Sequence, residues 1–292
     1  VSGTGTRPPA PEEAAAGAAG AAEAREWAAL LPGAAGAVGE VGALLRAWRA
    51  DTRATSGRWE GAQFKARADA MAHEALAARL RRVAPGVPVL SEEDPAGLRG
   101  PRPNLYWLID PIDGTASYAH GYPGYVTQAA LVAAARPVLA AVCAPEWKVR
   151  FTALRGRGAF AEGGAAGARA RLAAAPHPGP GAGVLTDNTP RPTGIARAAY
   201  NRFGCSGYLE SGSLALKLCR IAEGRAHLFV KDVPVRDWDV AAPGLVLEEA
   251  GGALRRLDGT LFNFTGSFEH TGLIGAADPG LCAAVAEWHR PG

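Results

Sequence analysis

Residues 110–115 read Asp110-Pro111-Ile112-Asp113-Gly114-Thr115. Two carboxylates three positions apart, in a turn stiffened by proline, can face one point. Hard divalent cations seek oxygen ligands of this kind, and magnesium keeps part of its shell for water and substrate phosphate. The Ile112 carbonyl between them offers another oxygen. The Gly114 and Thr115 amides follow; if a helix opens there, its free N–H groups and dipole attract an anion. The alternative is a turn in which Asp113 caps a helix. A bare Asp-x-x-Asp does not choose between the two, whereas the six-residue string is far more specific. No Ser/His/Asp or cysteine-nucleophile motif competes with it, and the six histidines show no metal-ligand spacing.

Strands must deliver these side chains. Leu105–Ile109 is apolar and runs directly into Asp110; Val87–Leu90 runs into Ser91-Glu92-Glu93-Asp94. Both acidic clusters therefore fall at strand ends, where ligand sites form in sheets covered by helices. Helices are expected over Glu23–Ala50, Asp69–Val83, Thr193–Phe203, Ser213–Glu223, Asp237–Ala250 and Pro279–His289. Strands are expected over Tyr125–Ala134, Pro137–Ala144, Val149–Ala153, Ala182–Asp187, Ala226–Val230, Ala253–Leu257 and Leu273–Gly275. Gly156–Arg169 reads as a turn and a small-residue loop. The alternation predicts layered α/β architecture.

Composition narrows the function classes. The chain has 292 residues, 48% hydrophobic and 20% charged, with a formal net charge of +3. That is ordinary for a globular protein with a substantial core. The charge is too small, and basic runs too few, to point to a nucleic-acid polymer. The four cysteines lie far apart without a Cys-x-x-Cys pair, which predicts reduced, buried thiols in a cytoplasmic protein. No apolar run is expected to span a membrane, and the Ala/Gly-rich start, broken by Glu12, Glu13 and Glu23, does not resemble a signal peptide. Residues 1–22 are expected to be a disordered tail, 23–170 an N-terminal α+β subdomain and 171–292 a C-terminal α/β subdomain.

Trp107-Leu108-Ile109-Asp110-Pro111-Ile112-Asp113-Gly114-Thr115 resembles the signature of the inositol monophosphatase family. Ser91-Glu92-Glu93 resembles its paired-glutamate motif, and Ala68-Asp69 its early aspartate. Trp238-Asp239-Val240-Ala241-Ala242 with Glu249-Ala250-Gly251-Gly252 resembles its C-terminal signature. Gly212-Ser213-Leu214-Ala215 and Glu223-Gly224-Arg225-Ala226 also fit.

The resemblance implies an α-β-α-β-α sandwich shared with fructose-1,6-bisphosphatase. It implies two or three Mg2+ per site, held by Glu92, Asp110, Asp113, Asp239 and the Ile112 carbonyl. Asp69 would lie in the outer shell or hold a weaker metal. Thr115, with Glu92 or Asp69, would orient and deprotonate the attacking water; the Gly114 and Thr115 amides would bind phosphate. Asp232, seven residues before Asp239, would meet substrate hydroxyls, with Lys231, Arg236, Ser213 and Ala215 nearby.

The implied reaction is hydrolysis of a phosphomonoester on a small polyol, sugar or nucleoside, with no membrane partner. Members are commonly dimeric, so a homodimer is implied. Departures leave the substrate open. Ser117 stands where the family often has Asn, and His270-Thr271-Gly272 replaces its usual Asn-x-Gly. Leu216-Lys217-Leu218-Cys219 resembles the nucleotidase branch. Histidinol-phosphate or 3′-phosphonucleotide hydrolysis, in a specialised biosynthetic pathway, is the alternative enzyme reading. A binding protein for phosphorylated metabolites is the non-enzyme reading.

Overall fold

The computed structural model describes residues 11–50, 56–60 and 63–290. The chain opens with helix α1 (Pro11–Trp48), a hairpin of β1 (Gly57–Glu60) and β2 (Gln63–Ala66), and helix α2 (Arg67–Val83). Then come β3 (Val89–Ser91), β4 (Leu105–Asp113), the short α3 (Thr115–Ala119), and β5 (Val126–Ala133) through β6 (Arg136–Ala144), β7 (Val149–Leu154), β8 (Gly158–Gly163) and β9 (Gly167–Arg171). The second half holds β10 (Gly183–Asp187), α4 (Gly194–Arg202), β11 (Cys205–Glu210), α5 (Leu214–Ala222) and β12 (Leu228–Arg236). It ends with α6 (Asp237–Glu249), β13 (Ala253–Arg255), β14 (Glu269–Ala276) and α7 (Pro279–His289).

Two sheets form the frame. The seven-stranded sheet runs β3 to β9 in order, with β3 and β4 parallel and the other pairs antiparallel. The five-stranded sheet has the order β11-β10-β12-β14-β13. Side chains alternate across a strand, and that alternation sorts the layers. From β4, Trp107 and Ile109 join α1 and α2, while Tyr106 and Leu108 join α5 and α6. From β12, Phe229 joins the α5/α6 layer, while Leu228 and Val230 pack with α4 and α7. The result is the expected α-β-α-β-α sandwich, with α5 and α6 between the sheets.

Several expectations shift. Gly156–Arg169 is not a loop: it forms β8 and most of β9, where small residues pair by backbone rather than by apolar pattern. Cys205–Glu210 is a further strand parallel to β10. Helix α1 already includes residues 11–22, and residues 1–10 of the expected tail lie outside the described residues. The 170/171 division falls inside β9.

Contrary to expectation, Ala22–Trp48 is long and apolar enough to cross a membrane by length and composition. Its alanines raise hydropathy without bulk. Ala34, Val38, Val41 and Leu45 are fully buried in the layer shared with α2, as in a core helix.

Candidate active site

The β4–α3 junction is built around Gly114. Its φ of +88° lies in the left-handed region, and an added Cβ would come within 3.0 Å of Ser213 Cβ and 3.2 Å of Gly124 O. Glycine alone fits that combination easily. A Cβ on Gly124 would lie 2.5 Å from Gly212 Cα. The start of α5 thus abuts the junction, and Ser213 N donates to Gly124 O at 2.6 Å.

Carboxylates from four places meet here: Asp69 in the first turn of α2, Glu92 after β3, Asp110 and Asp113 at the end of β4, and Asp239 in the first turn of α6. Asp69 and Asp110 are 2% exposed. Burial raises the Asp110 carboxyl well above its ordinary range, and the charges of Glu92, Asp113, Asp239 and Asp69 raise it further. Asp239, half-buried, is also raised well above its ordinary range, by desolvation first and then by Asp113 and Glu92. Asp113 is raised by burial and pulled back by the Ala215 amide and other donors.

Like charges held this close turn toward amides. Asp113 Oδ2 accepts from Ala215 N at 2.6 Å, Asp239 Oδ2 from Arg236 N at 2.6 Å, and Asp110 Oδ1 from Ile112 N at 3.0 Å. Among the described residues, no three His, Cys, Asp or Glu side chains are grouped as a closed metal shell. Asp113 does not cap the helix that follows it, whose N-cap Gly114 carries no side-chain cap bond. Its carboxylate instead accepts from the first amides of α5 and belongs to the acidic cluster.

Thr115 joins two elements. Its Oγ1 lies 3.0 Å from Asp69 Oδ1 and 3.0 Å from Ile112 O. Arg49, just beyond α1, holds α3 and the segment after it: its guanidinium donates to Tyr118 O at 3.1 Å, to Tyr122 O at 2.6 Å and to Glu146 at 2.8 Å.

The residues expected to face substrate behave differently from one another. Ser213 Oγ accepts from Leu216 N, capping α5, and the Ala215 amide is taken by Asp113. Residues 230–236 continue β12, interrupted by an irregularity between Lys231 and Pro234 that leaves Asp232 exposed. Lys231 Nζ is 2.8 Å from Asp187 and 3.1 Å from Asn188 Oδ1; Arg236 pairs with Glu269 at 3.1 Å.

Two buried networks escaped the sequence reading. Lys217, 3% exposed in α5, lies 4.0 Å from the Asp187 carboxylate that Lys231 also pairs. Desolvation pushes its ammonium down to about 8, against the pull of Asp187. A lone lysine in Leu214-Ala215-Leu216-Lys217-Leu218 was the visible signal. Asp237, fully buried, pairs with Arg102 and lies 2.6 Å from His270 Nε2. The departure at His270 thus faces a buried carboxylate at the first residue of α6. Glu248, on α6, pairs with Arg155 at 3.3 Å.

Fold and site together define a two-sheet α/β sandwich with an acidic cluster at the end of β4. The profile of the inositol monophosphatase family matches residues 25–290, and the chain belongs to that family. It is 34% identical over 165 residues to Inositol monophosphatase 2 of Solanum lycopersicum, covering 54% of this chain and 60% of that protein. It is 31% identical over 207 residues to the 3′(2′),5′-bisphosphate nucleotidase CysQ of Shigella flexneri, covering 68% of this chain and 78% of that protein. The crystal structure of extragenic suppressor protein suhB from Bartonella henselae superposes with a TM-score of 0.72 at 23% identity, covering 89% of this chain and 97% of that one.

Proposed function

We propose that the chain is a magnesium-dependent phosphomonoesterase acting on a small phosphorylated metabolite. What carries the reading is the convergence on buried Asp110 of the charges of Glu92, Asp113, Asp239 and Asp69. A cluster of buried carboxylates without a cation is costly, and its donors are all hard oxygens. That set fits Mg2+ rather than zinc or copper. Glu92, Asp110, Asp113, Asp239 and the Ile112 carbonyl would hold the ions. Magnesium bound there supplies Lewis acidity and charge neutralisation to phosphoryl chemistry.

The chain's own groups do the rest. Thr115 Oγ1 donates to Asp69, so its lone pair is free to accept from a water. As that water attacks phosphorus, its proton passes to Thr115 and the Thr115 proton to Asp69. The P–O ester bond breaks, and the leaving oxygen takes a proton from solvent. The Gly114 and Thr115 amides cradle the phosphate through positioning and charge, the main requirements of phosphoryl transfer.

The test is turnover of p-nitrophenyl phosphate. EDTA should abolish it and Mg2+ restore it, and Asp239→Asn should lower kcat about a hundredfold, ~3 kcal/mol in barrier. Full activity after exhaustive chelation would refute the reading.

One observation favours a second reading, a nucleotide bearing another phosphate. Lys217 and Lys231 share the single Asp187 carboxylate, leaving one positive charge beside the β12 end of the site. Comparing kcat/KM for inositol monophosphate and adenosine 3′,5′-bisphosphate separates the two.

A further inference from the structure

A cavity of about 210 Å3, lined by none of the cluster carboxylates, lies between α6, the β5–β6 turn and the segment before β14. Val240, Leu245, Phe262 and Phe264 line it with apolar surface, and Arg136 and Arg155 stand at its polar edge. Arg155 is fixed: Nε donates to Pro137 O at 2.8 Å and Nη2 lies 3.3 Å from Glu248. Arg136 is exposed and makes no ion pair among the described residues. Two guanidiniums against one carboxylate leave the rim with one unmatched positive charge.

Size and shape narrow the occupant. An apolar cavity of roughly 150 Å3 accommodates benzene, so this one takes a ring with a short arm. Leu261, 60% exposed, extends the apolar surface at the mouth. A planar guanidinium pairs best with a carboxylate, through two parallel N–H···O bonds. The two-residue hairpin turn of Ala134 and Ala135, both at positive φ, presents Arg136 at the cavity edge.

We infer that this cavity is a second binding site, for a small aryl carboxylate whose ring enters the pocket and whose carboxylate meets Arg136. The inference does not rest on the phosphatase reading. Its floor begins at Val240, the residue after Asp239, so an occupant would touch the helix that carries a cluster carboxylate.

The test is isothermal titration of the full chain with 3-phenylpropionate and with its neutral amide. Saturable binding of one carboxylate per chain is expected below roughly 10 mM, with the amide about tenfold weaker. Arg136→Glu should weaken carboxylate binding about tenfold while leaving p-nitrophenyl phosphate turnover and the melting curve unchanged. Absence of saturable binding, equal affinity for the amide, or an unaffected Arg136→Glu variant would overturn the inference. Displacement by excess inorganic phosphate would also overturn it, because the ligand would then sit at the acidic cluster's phosphate site.

Discussion

Thr115 has one hydroxyl proton and two acceptors at 3.0 Å, Asp69 Oδ1 and Ile112 O. It can pass on a proton only while it donates to Asp69, so catalysis needs that partner and the backbone carbonyl is the resting alternative. Thr115→Ala keeps the amide and removes the relay. Its kcat should fall about a hundredfold, ~3 kcal/mol, with KM changed less than threefold. A KM effect alone in steady-state assays would reassign Thr115 to substrate binding.

Lys217 provides a stability handle. Its folded pKa, about 8, lies below the ordinary lysine value of 10.5. Between those values the unfolded chain keeps the proton and the folded chain does not, so the unfolded state binds more protons. Stability therefore rises with pH across that window. Denaturant melts of the wild type and Lys217→Met, taken from pH 7 to 10.5, should show this rise in the wild type only. A parallel pH dependence in both would mean that Lys217 stays charged in the fold.

At the scale of elements, the β5–β6 hairpin has a two-residue turn with both residues at positive φ. Such turns favour Asn-Gly. Replacing Ala134-Ala135 with Asn-Gly should stabilise the protein by about 1 kcal/mol and raise Tm by about 2 °C. An unchanged or lower Tm would show that the alanines are held without strain.

The β12 irregularity makes a different prediction. It turns Asp232 to solvent beside a strand that leads into Asp239. Under the phosphatase reading, Asp232→Ala should cut kcat/KM for the true substrate about tenfold, ~1.4 kcal/mol, and spare p-nitrophenyl phosphate, which has no hydroxyl to engage. Equal losses on both substrates would place Asp232 in support of the fold.

The whole molecule concentrates negative charge where the halves meet. Asp69, Glu92, Asp110 and Asp113 precede β5, while Asp239 comes from α6; the Gly124–Gly212 approach brings those parts together. Asp110 and Asp239 have raised carboxyl pKa values. Each therefore contributes stability that is present below the ordinary carboxylate range and lost as pH rises through the raised value. Without divalent cation, Asp110→Asn should melt higher than the wild type at neutral pH, because a buried like charge is gone. Added Mg2+ should raise the wild-type Tm and leave the variant nearly unmoved, since a ligand of the folded state stabilises by mass action. Thermal melts with and without Mg2+ check both arms; a lower metal-free Tm for the variant would contradict the charge argument.

Much of this was legible in the chain itself. The two strands expected to end at Leu90 and Ile109, just before the acidic clusters, follow from local pattern, because apolar runs and acidic punctuation are properties of neighbouring residues. They run on to Ser91 and Asp113, and Asp69, Glu92 and Asp239 stand out through the family resemblance. The layered architecture followed from the same alternation. β8, β9 and β11 were hidden because small or polar residues such as those of Gly158–Gly163 carry little period-2 signal, and backbone pairing across the sheet decides their state. The membrane-length apolar stretch of α1 was hidden by the low weight that alanine carries one residue at a time. Only tertiary structure decided that Asp113 accepts from the first amides of α5, that Thr115 meets Asp69 across 46 positions, that Lys217 and Lys231 share Asp187, and that Asp237 is buried between Arg102 and His270. These are contacts between groups far apart in sequence. Their energies depend on burial and mutual charge, and those are fixed only when the two sheets close on α5 and α6.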